Sequence, residues 1–300
     1  MKRNKITAIL TSVILLTLSP WVSANTLTVS SWNIEWLTLN PSAPKDKGKR
    51  SEQDFTALRQ HFAKLNSDVL AFQEVDSIDA VENVVGPGYH VVLSDRSQPN
   101  HAGHQFGDIN QYTGFAVRNG IPFRDPPDID LYDKRNHKLR FAAYIVLYPD
   151  TPNALHTLSV HLKAGCSGKF QSNQSSCQTL LKQGKALNAW IKQRESKQEA
   201  YLIMGDFNHN LAYRGDWLWQ TMTQGTKAEP TLASQQTQAT CKVRSRQQAN
   251  KLHQFRSLID HVIISPNLKA DETRQVNFDS QQVLSYQLSD HCPMSSQVSW

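Results

Sequence analysis

The stretch Ala200-Tyr201-Leu202-Ile203-Met204-Gly205-Asp206-Phe207-Asn208 decides the fold. Its apolar half, Ala200–Met204, reads as a β-strand that runs without a break into Gly-Asp-Phe-Asn. A carboxylate and an amide therefore stand at the lip of a rigid element. One such residue is usually a turn or a cap. Here the arrangement recurs: Ser31-Trp32-Asn33, Phe72-Gln73-Glu74, Val160-His161 and Leu258-Ile259-Asp260-His261 each end an apolar run, and Ser289-Asp290-His291 follows the last loop. Strand ends are where a sheet aims several side chains into one cleft.

Outward from that stretch, short apolar strands alternate with a few amphipathic helices. Strands are expected at Leu27–Ile34, Asp68–Val75, Tyr89–Leu93, Thr113–Arg118, Phe141–Tyr148, Leu155–Leu162, Ser257–Ser265 and after Pro293. Ser51 is placed as an N-cap, followed by Phe55, Leu58, Phe62 and Leu65 at helical spacing. Thr179–Arg194 reads as a second helix that buries Leu180, Leu181, Leu187 and Trp190. There is no internal repeat and no long linker, so residues 25–300 are expected to form one domain.

The residue types at the strand ends suit metal-assisted phosphoester hydrolysis. Glu74, Asp206, Asp260 and Asp290 supply hard oxygens, and Asn33 and Asn208 add neutral amides. That mixture fits Mg²⁺, Mn²⁺ or Ca²⁺ better than zinc. His161 and His291 can move protons near neutral pH. A phosphodiester needs an activated water, charge neutralisation on its oxygens and help for the leaving oxygen.

Together these motifs resemble the series of the endonuclease/exonuclease/phosphatase superfamily, which includes pancreatic-type deoxyribonuclease, abasic-site endonucleases, bacterial sphingomyelinases and inositol polyphosphate phosphatases. Their order and spacing match over about residues 27–300, and Gly-Asp-Phe-Asn is the most specific. The resemblance implies an α/β fold: a four-layer sandwich of two packed mixed sheets flanked by helices, like deoxyribonuclease I. It implies Glu74 as principal metal ligand, helped by Asn33, with Asp290 nearby. It implies His161 at the scissile phosphate as acid or charge stabiliser, and Asp206 on the attacking water. Asn208 would hold a phosphate oxygen, and Asp260 would orient His291 as base or phosphate-stabilising partner. Arg140 resembles the family's phosphate-gripping arginine, and Tyr112 a substrate-contacting tyrosine just before a strand. Two departures stand out. Asp76 occupies the place of an arginine that reaches the minor groove, and Asn110-Gln111 offers no carboxylate to pair with His161.

The chain has 300 residues, 39% hydrophobic and 19% charged, which excludes collagen-like, coiled-coil and wholly disordered classes. The net charge is +6. Met1–Ala24 reads as a secretory signal: Lys2, Arg3 and Lys5, the apolar run Ile6–Ser19, then Val22-Ser23-Ala24. The run is short beside the roughly 20 residues that span a bilayer. Its cleavage leaves +3. The mature protein is therefore expected to be periplasmic or secreted, monomeric and without membrane insertion. In an oxidising compartment Cys166, Cys177, Cys241 and Cys292 are expected as two disulfides. The short polar loop favours Cys166–Cys177, leaving Cys241–Cys292.

Two stretches, Lys134–Arg140 and Lys242–Arg256, are strongly basic, and the Lys45–Arg50 loop lies beside the first motif. With export they favour nucleic acid as substrate, DNA before RNA, bound mainly through phosphates. A sphingomyelinase-like lipid phosphodiesterase would need an exposed apolar or aromatic hairpin; the loops Ser94–Asn110 and Gly225–Gln248 read as polar. Other phosphoesterases of the fold remain alternatives. A binding module would have lost catalytic positions, and all are filled. His261 reads as structural. His101 and His104 suggest no third ligand, so no metal role is assigned to them. Trp217 and Trp219 read as packed against the body.

Overall fold

The computed structural model describes residues 25–43 and 48–300. The expected export signal, Met1–Ala24, and the charges of Lys45 and Lys47 lie outside the described residues. The chain runs β1 (Thr26–Leu37), α1 (Glu52–Leu65), β2 (Val69–Val75), α2 (Ile78–Val85), β3 (Tyr89–Leu93), β4 (Tyr112–Arg118), β5 (Phe123–Arg124), β6 (Ala143–Leu147) and β7 (Leu155–His161). It continues through α3 (Ser175–Ser196), β8 (Ala200–Asp206), α4 (Trp217–Thr223), β9 (Thr231–Leu232), β10 (Lys242–Arg244), β11 (Leu252–Gln254), β12 (Asp260–Ile264), β13 (Lys269–Gln275), α5 (Ser280–Ser285) and β14 (Met294–Ser299).

One six-stranded sheet has the order β13-β14-β1-β2-β4-β3, and the other β5-β6-β7-β8-β12-β9. The pairs β1–β2 and β7–β8 are parallel, and their neighbours are antiparallel. Both sheets are thus mixed.

Side-chain alternation explains the layering. Along β2, Val69 and Ala71 enter the core between the sheets, while Leu70 and Phe72 enter the core under α1 and α2. Along β8, Leu202 and Met204 face the other sheet, while Tyr201 and Ile203 face α3 and α4. Strands buried on both faces read as continuous apolar runs. The result is helix, sheet, sheet, helix: the four-layer α/β sandwich.

Ser51 caps α1: its Oγ accepts from the Asp54 N–H, and the Asp54 carboxylate accepts from the Ser51 N–H at 2.7 Å. On α3, Leu181 is only partly buried, contrary to expectation. Gly184 turns towards α4 instead, where an added Cβ would meet Leu218 Cδ1 at 2.7 Å. Disulfides join Cys166 to Cys177 and Cys241 to Cys292.

The basic stretch Lys242–Arg256 is not simply a loop. It folds into the hairpin β10–β11, separate from both sheets, and its apolar residues Val243 and Leu252 pack into the core under α1. Its tip, Arg246–Lys251, is polar. The helices α2, α4 and α5 and the strand β13 were not expected.

Candidate active site

Four of the expected residues, and Gln73 with them, share one parity. Asn33, Gln73, His161, Asp206 and Asp260 sit at inward-facing positions on the ends of β1, β2, β7, β8 and β12. Three cross-strand pairs set them side by side: Asn33 opposite Gln73, His161 opposite Asp206, and Asp206 opposite Asp260. Gln73 stitches the sheets beneath them by donating to Ser159 Oγ at 3.0 Å.

Glu74 is the exception. Two-residue alternation would turn it outward with Phe72. Instead it has φ 58°, and the register slips between Phe72 and Val75. Its neighbour strand slips too: Glu35 and Trp36 have φ of 44° and 52°. Arg50 clamps this bulge by donating to the carbonyls of Ile34 (2.9 Å), Glu35 (3.0 Å) and Leu288 (2.5 Å). The backbone thus takes up Arg50, one of the two basic side chains of the Lys45–Arg50 loop, with Lys49, that lie among the described residues. Strained backbone held by several contacts recurs where side chains must be aimed.

The polar groups meet in one cluster. Asn33 Nδ2 donates to Glu74 Oε1 at 3.2 Å and to Asp206 Oδ2 at 3.1 Å. His161 Nε2 lies 3.6 Å from Glu74 Oε1 and 3.5 Å from Asp206 Oδ2. His291 Nδ1 donates to Asp260 Oδ2 at 2.8 Å, and its Nε2 lies 3.8 Å from Asp206 Oδ2. Asn208, in left-handed conformation at φ 51°, donates its backbone N–H to Asp206 Oδ1 at 2.7 Å and its Nδ2 to Leu162 O at 3.1 Å.

Burial and charge separate the two histidines. Burial lowers the His161 pKa well below 6.5, and Arg140 and His291 lower it further. Burial also opposes charge on His291, but Asp260 and Asp206 outweigh it and hold that imidazole well above its ordinary value. Burial raises Asp206 to about 7, helped by Asp260 and resisted by His291. Titratable groups driven apart in this way mark acid and base roles.

The remaining expected residues are placed less uniformly. The half-buried Arg140 faces Glu74 and Asp206, and its Nε has no hydrogen-bond partner among the described residues. Asp290 meets Arg246 Nη2 at 2.5 Å, and its Oδ1 lies 3.9 Å from His291 Nε2. Tyr112 is the first residue of β4, not the residue before a strand. It is buried with Arg96 over its ring at 5.4 Å, so this structure presents it as a packed side chain. Asp76 holds the loop before β4, accepting from the Asn110 N–H at 2.6 Å and from Thr38 Oγ1 at 3.0 Å. His161 Nδ1 has no partner among the described residues.

His261 is structural: Leu211 N–H donates to its Nε2 at 3.2 Å, and Ser234 Oγ bonds its Nδ1 at 2.8 Å. His104 does gain ligand-capable neighbours, Asp130 and His137. However, Leu139 N–H donates to His137 Nδ1 at 3.1 Å, so His137 Nε2 carries a hydrogen and donates it to Asp130 at 2.9 Å. That geometry offers a metal no lone pair on His137.

The residue missed by sequence reasoning is Glu35. Burial, helped by Asp290 and Glu74 and resisted by Arg50, raises its carboxyl to about 7. Its signal was a carboxylate two positions after Asn33. Glu35, Glu74 and Asp290 concentrate acidic oxygens on one side of the cluster, and that donor set fits a hard divalent cation. Asn33 Oδ1 already accepts the Glu35 N–H at 3.0 Å, so the carboxylates carry most of the fit. Asp206, Asp260 and His291 form a second close group, but the Asp260–His291 hydrogen bond occupies it.

The sequence matches the model of the Endonuclease/Exonuclease/phosphatase family over residues 30–291. No curated protein matches the sequence. The fold is similar to that of a solved endonuclease/exonuclease/phosphatase family protein from Bacteroides thetaiotaomicron, with TM-score 0.60 and 15% identity over 93% of this chain and 99% of that one. It is similar to a mannosyl-6-phosphatase from the same organism, with TM-score 0.56 and 15% identity over 91% and 99%. It is also similar to TDP2 from Caenorhabditis elegans, with TM-score 0.58 and 14% identity over 91% and 74%. At these identities the likeness is one of fold.

Proposed function

Because the chain belongs to the endonuclease/exonuclease/phosphatase family of phosphoester hydrolases, we propose that it is an exported, divalent-metal-dependent phosphodiesterase that cuts nucleic acid internally, DNA before RNA. The observation that carries this reading is the convergence of Glu74, His161, Asp206, Asp260 and His291 within one rim, with Arg140 and Arg246 beside it.

Glu74, Asp290 and Glu35, with Asn33, would hold the cation, which when bound neutralises phosphoryl charge and helps the leaving oxygen. The protein's own groups do the rest. Asp206 lies between the two imidazoles and orients the attacking water, taking its proton. His291, held by Asp260, presents a charged N–H from Nε2 to a phosphoryl oxygen. His161 is neutral and donates a hydrogen bond rather than acting as a strong acid. Of the two roles expected for His161, acid or charge stabiliser, this favours the stabiliser, and the cationic imidazole is that of His291. Arg140 can grip a non-bridging oxygen with its guanidinium fork. Asn208 fixes the Asp206 carboxylate through its backbone N–H.

A lipid substrate is less well supported. The hairpin β10–β11 exists, but its tip is basic and amide-rich rather than apolar. Incubation of purified mature protein with supercoiled plasmid and Mg²⁺ tests the proposal. Nicked and linear products that disappear on chelation are expected. An intact plasmid with folded, metal-supplied protein would overturn the preference for DNA and send the test to RNA, then to lipid and small phosphate esters.

A further inference from the structure

The hairpin β10–β11 is built onto the catalytic rim. Cys241, next to its first strand, is bonded to Cys292, next to His291. Arg244 donates to the carbonyls of Val283 (3.1 Å) and Tyr286 (3.0 Å), which fixes the hairpin against α5. Arg246 reaches Asp290. The chain leaving the hairpin then places Phe255 and Arg256 on the way to Asp260.

Phe255 is 42% exposed, although a large aromatic ring gains by leaving water. It stands between two cavities that both reach Asp290. One, of ≈ 210 Å³, is lined by Phe255, Arg256, Ile259, Asp260 and His291. The other, of ≈ 240 Å³, is lined by Arg244, Arg246, His253 and Phe255. The ring of His253 meets Phe255 in a T-shaped contact at 4.7 Å, which covers at most one face of either ring. No acid occurs from Lys242 to Arg256. A solvent-exposed aromatic ring among cations, next to a phosphate-handling histidine, suits single-stranded nucleic acid: bases stack and the backbone tracks positive charge.

We propose that Phe255 is a stacking platform for the base flanking the scissile phosphate, with Arg246 and Arg256 on the adjoining backbone, and that it makes single-stranded stretches the preferred substrate over regular duplex. This rests on the nuclease reading above. A base within a duplex is already stacked on its neighbours and must leave them to reach Phe255; a single strand has no such cost.

The test is binding in a His161→Ala background, which blocks turnover, by fluorescence anisotropy with two probes: single-stranded oligo-dT and an abasic oligomer of equal length. Phe255→Ala is expected to weaken oligo-dT about tenfold and to leave the abasic oligomer within about twofold. Phe255→Tyr should restore oligo-dT binding and Phe255→Leu should not, which separates stacking from mere apolar cover. Equal losses on both probes, no loss on oligo-dT, or restoration by leucine would overturn the platform. The parent reading fails differently: an enzyme that hydrolyses a simple phosphodiester but leaves DNA and RNA intact would refute both proposals. Nucleic-acid cleavage by a protein whose binding ignores Phe255 would refute the platform alone.

Discussion

His291 Nδ1 donates to Asp260 Oδ2 at 2.8 Å, joining the loop before β14 to the first residue of β12. Asp260 also sits opposite Asp206 across β8–β12, so one strand pair sets both carboxylates that His291 meets. The hydrogen bond fixes the ring, aims Nε2 at the cleft and holds the proton on the imidazole.

Asp260→Asn keeps the shape and removes the charge. Turnover should fall by about a hundredfold or more, with KM little changed, because orientation and protonation of His291 are lost together. The His291 imidazole should titrate at lower pH by NMR. Turnover within about threefold of wild type would contradict the assigned relationship.

Cys241–Cys292 ties the hairpin to the residue after His291. Replacing both with serine should lower thermal stability, on a scale of about 2–4 kcal/mol. At temperatures where circular dichroism shows the protein folded, kcat/KM on nucleic acid should still fall about tenfold. Unchanged kcat/KM in the folded variant would show that the hairpin does not set the site.

Gly205 has φ +148°, and an added Cβ would lie 2.0 Å from the Val160 carbonyl oxygen across β7–β8. Gly205→Ala must push apart the strand ends that carry His161 and Asp206. A loss of about 3 kcal/mol or more, read by urea unfolding, is expected. A variant as stable as wild type would show that the rim is more pliant than this packing implies.

His261 is buried and neutral, with its pKa lowered to about 3 by burial. Its folded value lies below the unfolded value near 6.5, so the unfolded chain binds the extra proton. This stability is present above pH ~6.5 and is lost as pH falls. Protonation must break the bond that Leu211 N–H donates to Nε2. Between pH 7 and pH 5, wild type should therefore lose about 2 kcal/mol relative to His261→Gln. A constant gap between the two proteins would contradict the assignment.

Much of the rim was legible because strand periodicity is two. Asn33, His161, Asp206 and Asp260 end apolar runs at positions whose parity matches the inner-facing Val29, Ser159, Met204 and Val262, so counting along the chain aims them. The four-layer arrangement was expected from the family resemblance, and the doubly buried strands agree with it. Glu74 and Glu35 were not aimed by counting, because left-handed backbone breaks the alternation there. β13 escaped because an edge strand such as Lys269–Gln275 buries little and needs no apolar pattern. The hairpin β10–β11 escaped because a distant disulfide and contacts to α5, rather than its own periodicity, hold it. Tyr112 was placed at the substrate by the family resemblance alone, and no count along the chain could show that Arg96 lies over its ring.

The central claim is that His161 and His291 serve one phosphodiester-cleaving centre. Turnover of a labelled oligonucleotide at saturating Mg²⁺ by His161→Ala and His291→Ala, each confirmed folded, tests it most directly. Each substitution should cost several orders of magnitude. Either variant turning over within about tenfold of wild type would contradict the account.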